Sequence, residues 1–128
     1  MTHTLPVKVY YEDTDMAGIV YYANYLKYIE RGRSELISEM GIDQLKMRES
    51  GLVFAVRRLE ADYLAAARFG DDLVVHTAVT QVRGARIAMH QEVLRRKDVI
   101  FVADVTIVVI NEAGQPARVP AEIRRRLQ

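Results

Sequence analysis

Apolar residues recur along this 128-residue chain with two distinct periods. From about Tyr25 to Met40 the spacing is helical. Tyr25, Ile29, Leu36 and Met40 form a stripe with Leu26 and Ile37 beside it, which fits a repeat of 3.6 residues. Asn24 stands where an N-cap belongs, and Gly41 where a left-handed residue closes a helix. Gly32 falls mid-helix on the stripe. A glycine there costs roughly 1 kcal/mol relative to alanine, so its expected use is close packing against another backbone. Elsewhere the period is two. Residues 5–11 alternate Val7 and Val9 against Lys8, and residues 53–64 contain a strand without clear limits. Residues 72–82 put Leu73, Val75 and Val79 on one face; residues 86–96 do so with Ile87, Met89 and Val93. Residues 100–110 repeat the pattern with Phe101, Ala103, Val105, Ile107 and Val109. Arg83-Gly84-Ala85 and Lys97-Asp98 are short enough to be hairpin connectors. Residues 12–22 open with carboxylates and hold Gly18, the marks of a loop.

These elements predict an α+β fold: one long early helix on one face of a curved, mostly antiparallel sheet of about five strands. One domain over residues 1–128 is the expectation for this length. The other sheet face and the edges would stay uncovered, so dimerisation is expected.

Composition narrows the chemistry. Half of the residues are hydrophobic and the net charge is +1. That near-neutral balance argues against nucleic-acid binding through bulk charge, although 14 of the 18 cations are Arg. The chain has no cysteine, which removes disulfides, thiol nucleophiles and thiolate metal sites. No signal-like segment is visible, and no stretch reaches the roughly 18 apolar residues of a membrane span. A soluble, cytoplasmic protein is expected. The histidines are His3, His76 and His90. His76 and His90 sit at opposite parity to the apolar sets of their strands, so both are expected at the surface or at a subunit contact. No third ligand accompanies them, and no metal or cofactor is expected. Nucleophile elbows, Walker loops and dinucleotide fingerprints are absent.

The informative segment is Glu12-Asp13-Thr14-Asp15-Met16-Ala17-Gly18-Ile19-Val20-Tyr21-Tyr22-Ala23-Asn24-Tyr25. Three carboxylates precede a helix whose first N–H groups are free and carry a positive partial charge. Acids in that place commonly do no more than favour the helix N-terminus. The same arrangement also allows the N–H groups to hold an oxyanion while a carboxylate attacks a carbonyl or activates water. Asp13 and Asp15 are two residues apart, so in an extended segment both would face the same way.

The order of these residues, D-x-D-x-A-G-I-V-Y-Y-x-N-Y running into an amphipathic helix, resembles the hotdog-fold acyl-CoA thioesterases of the 4-hydroxybenzoyl-CoA thioesterase type. Glu30-Arg31-Gly32-Arg33-Ser34-Glu35 resembles the helix of the Tol–Pal-associated branch. So do Glu60-Ala61-Asp62-Tyr63-Leu64, Ala67-Arg68, Asp71-Asp72-Leu73 and Val119-Pro120-Ala121-Glu122. The resemblance spans about residues 7–123. It implies a helix wrapped by a five-stranded sheet, paired as a homodimer and often stacked as a homotetramer, with active sites between subunits. It places the catalytic carboxylate on Asp15 and the oxyanion donor on the backbone N–H of Tyr22, with Ala23 beside it. The Tol–Pal-associated branch often has His where Tyr22 stands, so no imidazole acts here, while a backbone donor is indifferent to the side chain.

Gly18 would permit close approach of the substrate. Asn24 and Glu30 are within conceivable reach of the pocket, though capping and solvation explain them equally well. The implied substrate is an acyl-CoA, or an acyl carrier protein bearing the same pantetheine arm. Arg83 and Arg86 flank the hairpin that lies near the nucleotide in related enzymes, and Arg suits phosphates. Arg118 and Arg124–Arg126 are further candidates, with plain surface charge the default for each. Phe54, Val56 and Tyr63 are expected around the acyl group. Two other classes compete: a hotdog 3-hydroxyacyl thioester dehydratase, disfavoured because no His lies in the Asp15 loop, and a non-catalytic module that binds acyl carriers.

Overall fold

A computed structural model describes residues 2–128. Its elements run β1 (Thr2–Lys8), α1 (Asn24–Glu39), α2 (Gln44–Glu49), β2 (Val53–Tyr63), β3 (Asp72–Arg83), β4 (Arg86–Arg95), β5 (Asp98–Ile110) and α3 (Ala121–Leu127), with a 3-10 turn at Tyr11–Asp13. The five strands form one sheet in the order β1-β3-β4-β5-β2, with every neighbouring pair antiparallel. Because α1 follows β1 directly and β2 returns at the far edge, the helix lies across the sheet against β1, β3 and β4. Bulges interrupt the register at Thr80 in β3, Arg57 in β2 and Ile100 in β5, and each bends its strand. Among the described residues no helix is long and apolar enough to cross a membrane.

The expected strand faces are the buried ones, whereas on the helix Leu26, expected beside the stripe, is exposed and Tyr28 is buried instead. Leu73, Val75, Ile87, Met89, Val93, Phe101, Ala103 and Val105 line the inner face at 1% exposure or less, under Tyr28, Ile29 and Leu36 of α1. Gly41 ends the helix with φ +78°. His76 and His90 point away from the core, half-buried.

Several expectations need correction. The first strand spans Thr2–Lys8 rather than 5–11. His3, Leu5 and Val7 turn inward, and the polar His3 disguises that alternation. Pro6 is tolerated because β1 is an edge strand. Asn24 is not the N-cap. Ala23 takes that position without a side-chain cap, and the Asn24 amide instead donates to the Asp13 carbonyl (2.9 Å). Gly32 packs against side chains, not backbone: a Cβ there would lie 2.8 Å from both Thr77 Oγ1 and Val75 Cγ1. The Lys97-Asp98 connector is Arg96-Lys97, with Arg96 at φ 58°. Two short helices, α2 and α3, had no counterpart in the apolar pattern.

Two polar side chains, Gln91 and Thr77, are fully buried in this core. Gln91, fully buried on β4, donates to the Ile29 carbonyl (2.7 Å) and to Thr77 Oγ1 (2.9 Å) and accepts from Arg33 (3.0 Å). Every hydrogen-bonding group that Gln91 brings into the core thus lies near a partner, as burial requires. The network ties the middle of α1 to β3 and β4.

Candidate active site

The residues between β1 and α1 are held by backbone bonds to distant segments. Asp15 N–H donates to the Ile19 carbonyl and Gly18 N–H to Asp15, closing a tight turn with Gly18 at φ +78°. Val20 N–H reaches the Ala67 carbonyl at 2.8 Å, and Ile19 bridges Arg68. The 64–71 segment is clamped in turn. Burial alone would raise the Asp71 carboxyl, but the Arg68 N–H and the Arg95 guanidinium outweigh it and hold that carboxyl below the usual carboxylate range.

A cleft of about 360 Å³ opens between these two segments, lined by Asp15, Tyr22, Tyr25, Tyr63 and Ala66 among others. Asp15 Oδ1 accepts the Ala17 N–H at 2.9 Å. Oδ2 has no hydrogen-bond partner among the described residues. The N–H groups of Tyr22 and Ala23 likewise donate to nothing in the described chain. They stand immediately before the first residue of α1, where the partial positive charge of a 16-residue helix is concentrated. Behind them Tyr25 stacks on Phe101 with centroids 5.0 Å apart, and its hydroxyl accepts the Ala67 N–H at 3.0 Å. Burial pushes the Tyr25 phenol up, so it stays neutral.

Asp15 and Tyr22 therefore meet in one cleft, with Gly18 forming the turn and Ala23 the helix entry. Asp13 does not share it. The 3-10 turn breaks the extended path and sends its Oδ2 to the Tyr10 N–H (2.9 Å). Asn24 serves the Asp13 carbonyl, and Glu30 accepts the Ser34 hydroxyl. Tyr63 reaches the cleft; Phe54 and Val56, farther along β2, do not line it. Arg83 and Arg86 are exposed and line a different hollow of about 490 Å³, with Gln81, Ala88 and Thr106. Two of the C-terminal arginines are structural. Arg124 donates to the Val82 and Gly84 carbonyls, and Arg126 to the Met40 carbonyl. The pattern alone did not expose Tyr21, Ala65 and Ala66 as cleft residues. The 64–71 segment was marked by its motif, but its contact with the Asp15 loop belongs to the tertiary structure.

A long helix wrapped by a five-stranded antiparallel sheet, with a carboxylate and unoccupied N–H groups where the helix begins, defines the hotdog class of thioesterase folds. The chain belongs to the thioesterase-like superfamily, whose family model matches residues 9–127. It is 37% identical over 123 residues to the acyl-CoA thioesterase YbgC of Haemophilus influenzae, covering 94% of this chain and 90% of that one. Among solved structures, a probable thioesterase from Bartonella henselae is 35% identical and superimposes with a TM-score of 0.89, over 94% of this chain and 100% of that one. A 4-hydroxybenzoyl-CoA thioesterase shares the fold at 20% identity, with a TM-score of 0.90 over 99% of each chain.

Proposed function

We propose that the protein hydrolyses acyl-CoA thioesters, with Asp15 and the N–H groups of Tyr22 and Ala23 as its reacting surface. The observation that carries this is the pairing in one cleft of a half-satisfied carboxylate with helix-start N–H groups that lack acceptors. The thioester oxygen takes up the N–H groups as charge develops on it. Asp15 either attacks the carbonyl carbon, giving a mixed anhydride that water then hydrolyses, or draws a proton from the water that attacks in its place. The C–S bond breaks, the acyl group leaves as a carboxylic acid, and sulfur departs as thiolate. A thiol ionises near pH 8.5, so departure needs no strong acid, consistent with the absence of an imidazole in the cleft. Because the reacting group is the same on either arm, an acyl carrier protein is a substrate on the same terms as CoA. Arg83 and Arg86 are proposed to meet CoA phosphates, which lie at the far end of the pantetheine arm from the thioester.

Asp15→Asn keeps the shape of the loop and removes the charge. Free-thiol release from a panel of acyl-CoAs is expected to fall at least about 100-fold, in the range seen when catalytic groups are lost, with an unchanged circular dichroism spectrum. An Asn variant that retains most of its turnover would remove Asp15 from the mechanism.

We further propose a homodimer, itself able to stack as a tetramer, joined through β2. That 11-residue edge strand exposes Val53 and Val56 at 37% and 51%, and Leu64 just past its end is exposed at 59%, an apolar edge of the kind proteins cover. Light scattering should give at least twice the chain mass, and Val56→Lys should lower it. A wild-type mass of one chain would refute the pairing.

A further inference from the structure

Tyr63, the last residue of β2, lines the same cleft as Asp15. Its hydroxyl donates to the Tyr22 carbonyl at 2.8 Å. That carbonyl and the Ala23 N–H belong to one peptide unit. No peptide in the described chain is cis, and a planar trans peptide fixes its N–H opposite its C=O, so a group that holds the one aims the other. The helix does not supply this hold. Its first backbone bonds run from Asn24 N–H to Tyr21 and from Leu26 N–H to Ala23; the Tyr22 carbonyl takes no backbone donor among the described residues.

Burial does not demand the bond either. Tyr63 is 46% exposed, so water could satisfy its hydroxyl. Its ring is already located by Tyr25 and Phe101, with centroids at 5.4 and 4.9 Å. A phenylalanine would pack in the same place. What the hydroxyl adds is orientation of one peptide and, because a carbonyl that accepts a hydrogen bond makes its own amide a stronger donor, polarisation of the Ala23 N–H.

Resting on the thioesterase reading above, we infer that Tyr63 is a positioning residue whose hydroxyl aims and polarises the Ala23 N–H as a donor to the thioester oxygen. The helix start then offers two donors, Tyr22 and Ala23, of which the second is held through a strand 40 residues away in sequence.

Tyr63→Phe deletes one exposed oxygen. In thiol-release assays kcat is expected to fall about 10-fold, less than the 10²–10³ of losing a donor outright, while KM stays within about two-fold and the melting curve is unchanged. Tyr63→Leu, which also removes the ring, separates packing from hydrogen bonding: a packing role predicts an active Phe variant and an inactive Leu variant, and overturns the inference. A spectroscopic readout is independent of turnover. With a ¹³C-carbonyl acyl-CoA held on Asp15→Asn, the thioester C=O stretch should shift down on binding, and less so on Asp15→Asn/Tyr63→Phe. Equal shifts overturn the inference, and an active wild type matched by Tyr63→Phe overturns it alone. A wild type that releases no thiol overturns the thioesterase reading and this inference together.

Discussion

Single atoms decide much of this molecule. Gly32 is the clearest case. Its missing Cβ lets α1 settle onto β3, where Val75 and Thr77 are both fully buried and Gln91 lies 3.3 Å from the Cβ position. Gly32→Ala would gain up to about 1 kcal/mol of helix propensity and lose roughly 1–3 kcal/mol to overpacking against side chains with nowhere to move. A net loss of up to about 2 kcal/mol is expected, read as a lower urea midpoint, with a stabilised variant excluding the close contact. The difference between Asp13 and Asp15 is equally local. The two acids are of one type and two positions apart, but the 3-10 turn commits Asp13 to the Tyr10 N–H. Asp15 stands beyond the turn and keeps one oxygen free in the cleft.

At the scale of elements, short pieces hold the long ones. α3 docks through Arg124, whose two nitrogens serve the Val82 carbonyl near the end of β3 and the Gly84 carbonyl in the β3–β4 turn at 3.3 and 2.9 Å, and through Val119, whose N–H reaches the Gly84 carbonyl. Hydrogen bonds from a charged donor are worth roughly 1.5–3 kcal/mol, and Arg124 is only half-buried, so Arg124→Ala should cost about 1–2 kcal/mol. Faster amide exchange confined to Ala121–Leu127 and the Gly84 hairpin is the expected signature; exchange unchanged there would show that α3 docks by its apolar side alone. The 64–71 segment acts in the same way on the other side, clamping the Asp15 loop through Ala67 and Arg68.

At the scale of the whole molecule, the outer sheet face carries a charge network with a pH signature. His90 Nδ1 lies 2.8 Å from Asp104 and Nε2 3.1 Å from Glu92, and His76 is opposite Glu92 in the β3–β4 register. Ionised carboxylates only accept, so the two bonds form together only when both ring nitrogens carry a proton, and the contact favours the imidazolium. The hydrogen bond to Asp104, then that to Glu92, raise the His90 pKa, with burial acting against them. Since the folded value lies above the unfolded one, the stabilisation is complete below about pH 6.5 and is lost as pH rises through the folded value. Wild type should melt lower at pH 8.5 than at pH 6, and His90→Gln should reduce that difference. An equal difference in both proteins would assign it elsewhere.

The strand faces, the helix stripe from Tyr25, the Gly41 stop and the loop that carries Asp15 were legible in the sequence, because each follows from a period or a turn residue acting over a few positions. The resemblance of the loop motif to a thioesterase family was legible for the same reason, being contained in 14 consecutive residues. α2 and α3 were not. At six and seven residues they are too short for a helical period to show, and such helices exist only by packing; the Asp43 side chain, which caps the Leu45 and Lys46 N–H groups, was the one local signal for α2. Only the tertiary structure decided that β2 returns to the far edge of the sheet. That placement carries Tyr63 to the helix start and leaves Arg83 and Arg86 at a separate hollow. It also put Gln91, polar on an apolar face, where Arg33, Thr77 and the Ile29 carbonyl can satisfy it. Local periods determine which side of an element faces the core, whereas a site built from residues 15, 22 and 63 depends on which elements become neighbours, and that is settled only when the sheet closes over the helix.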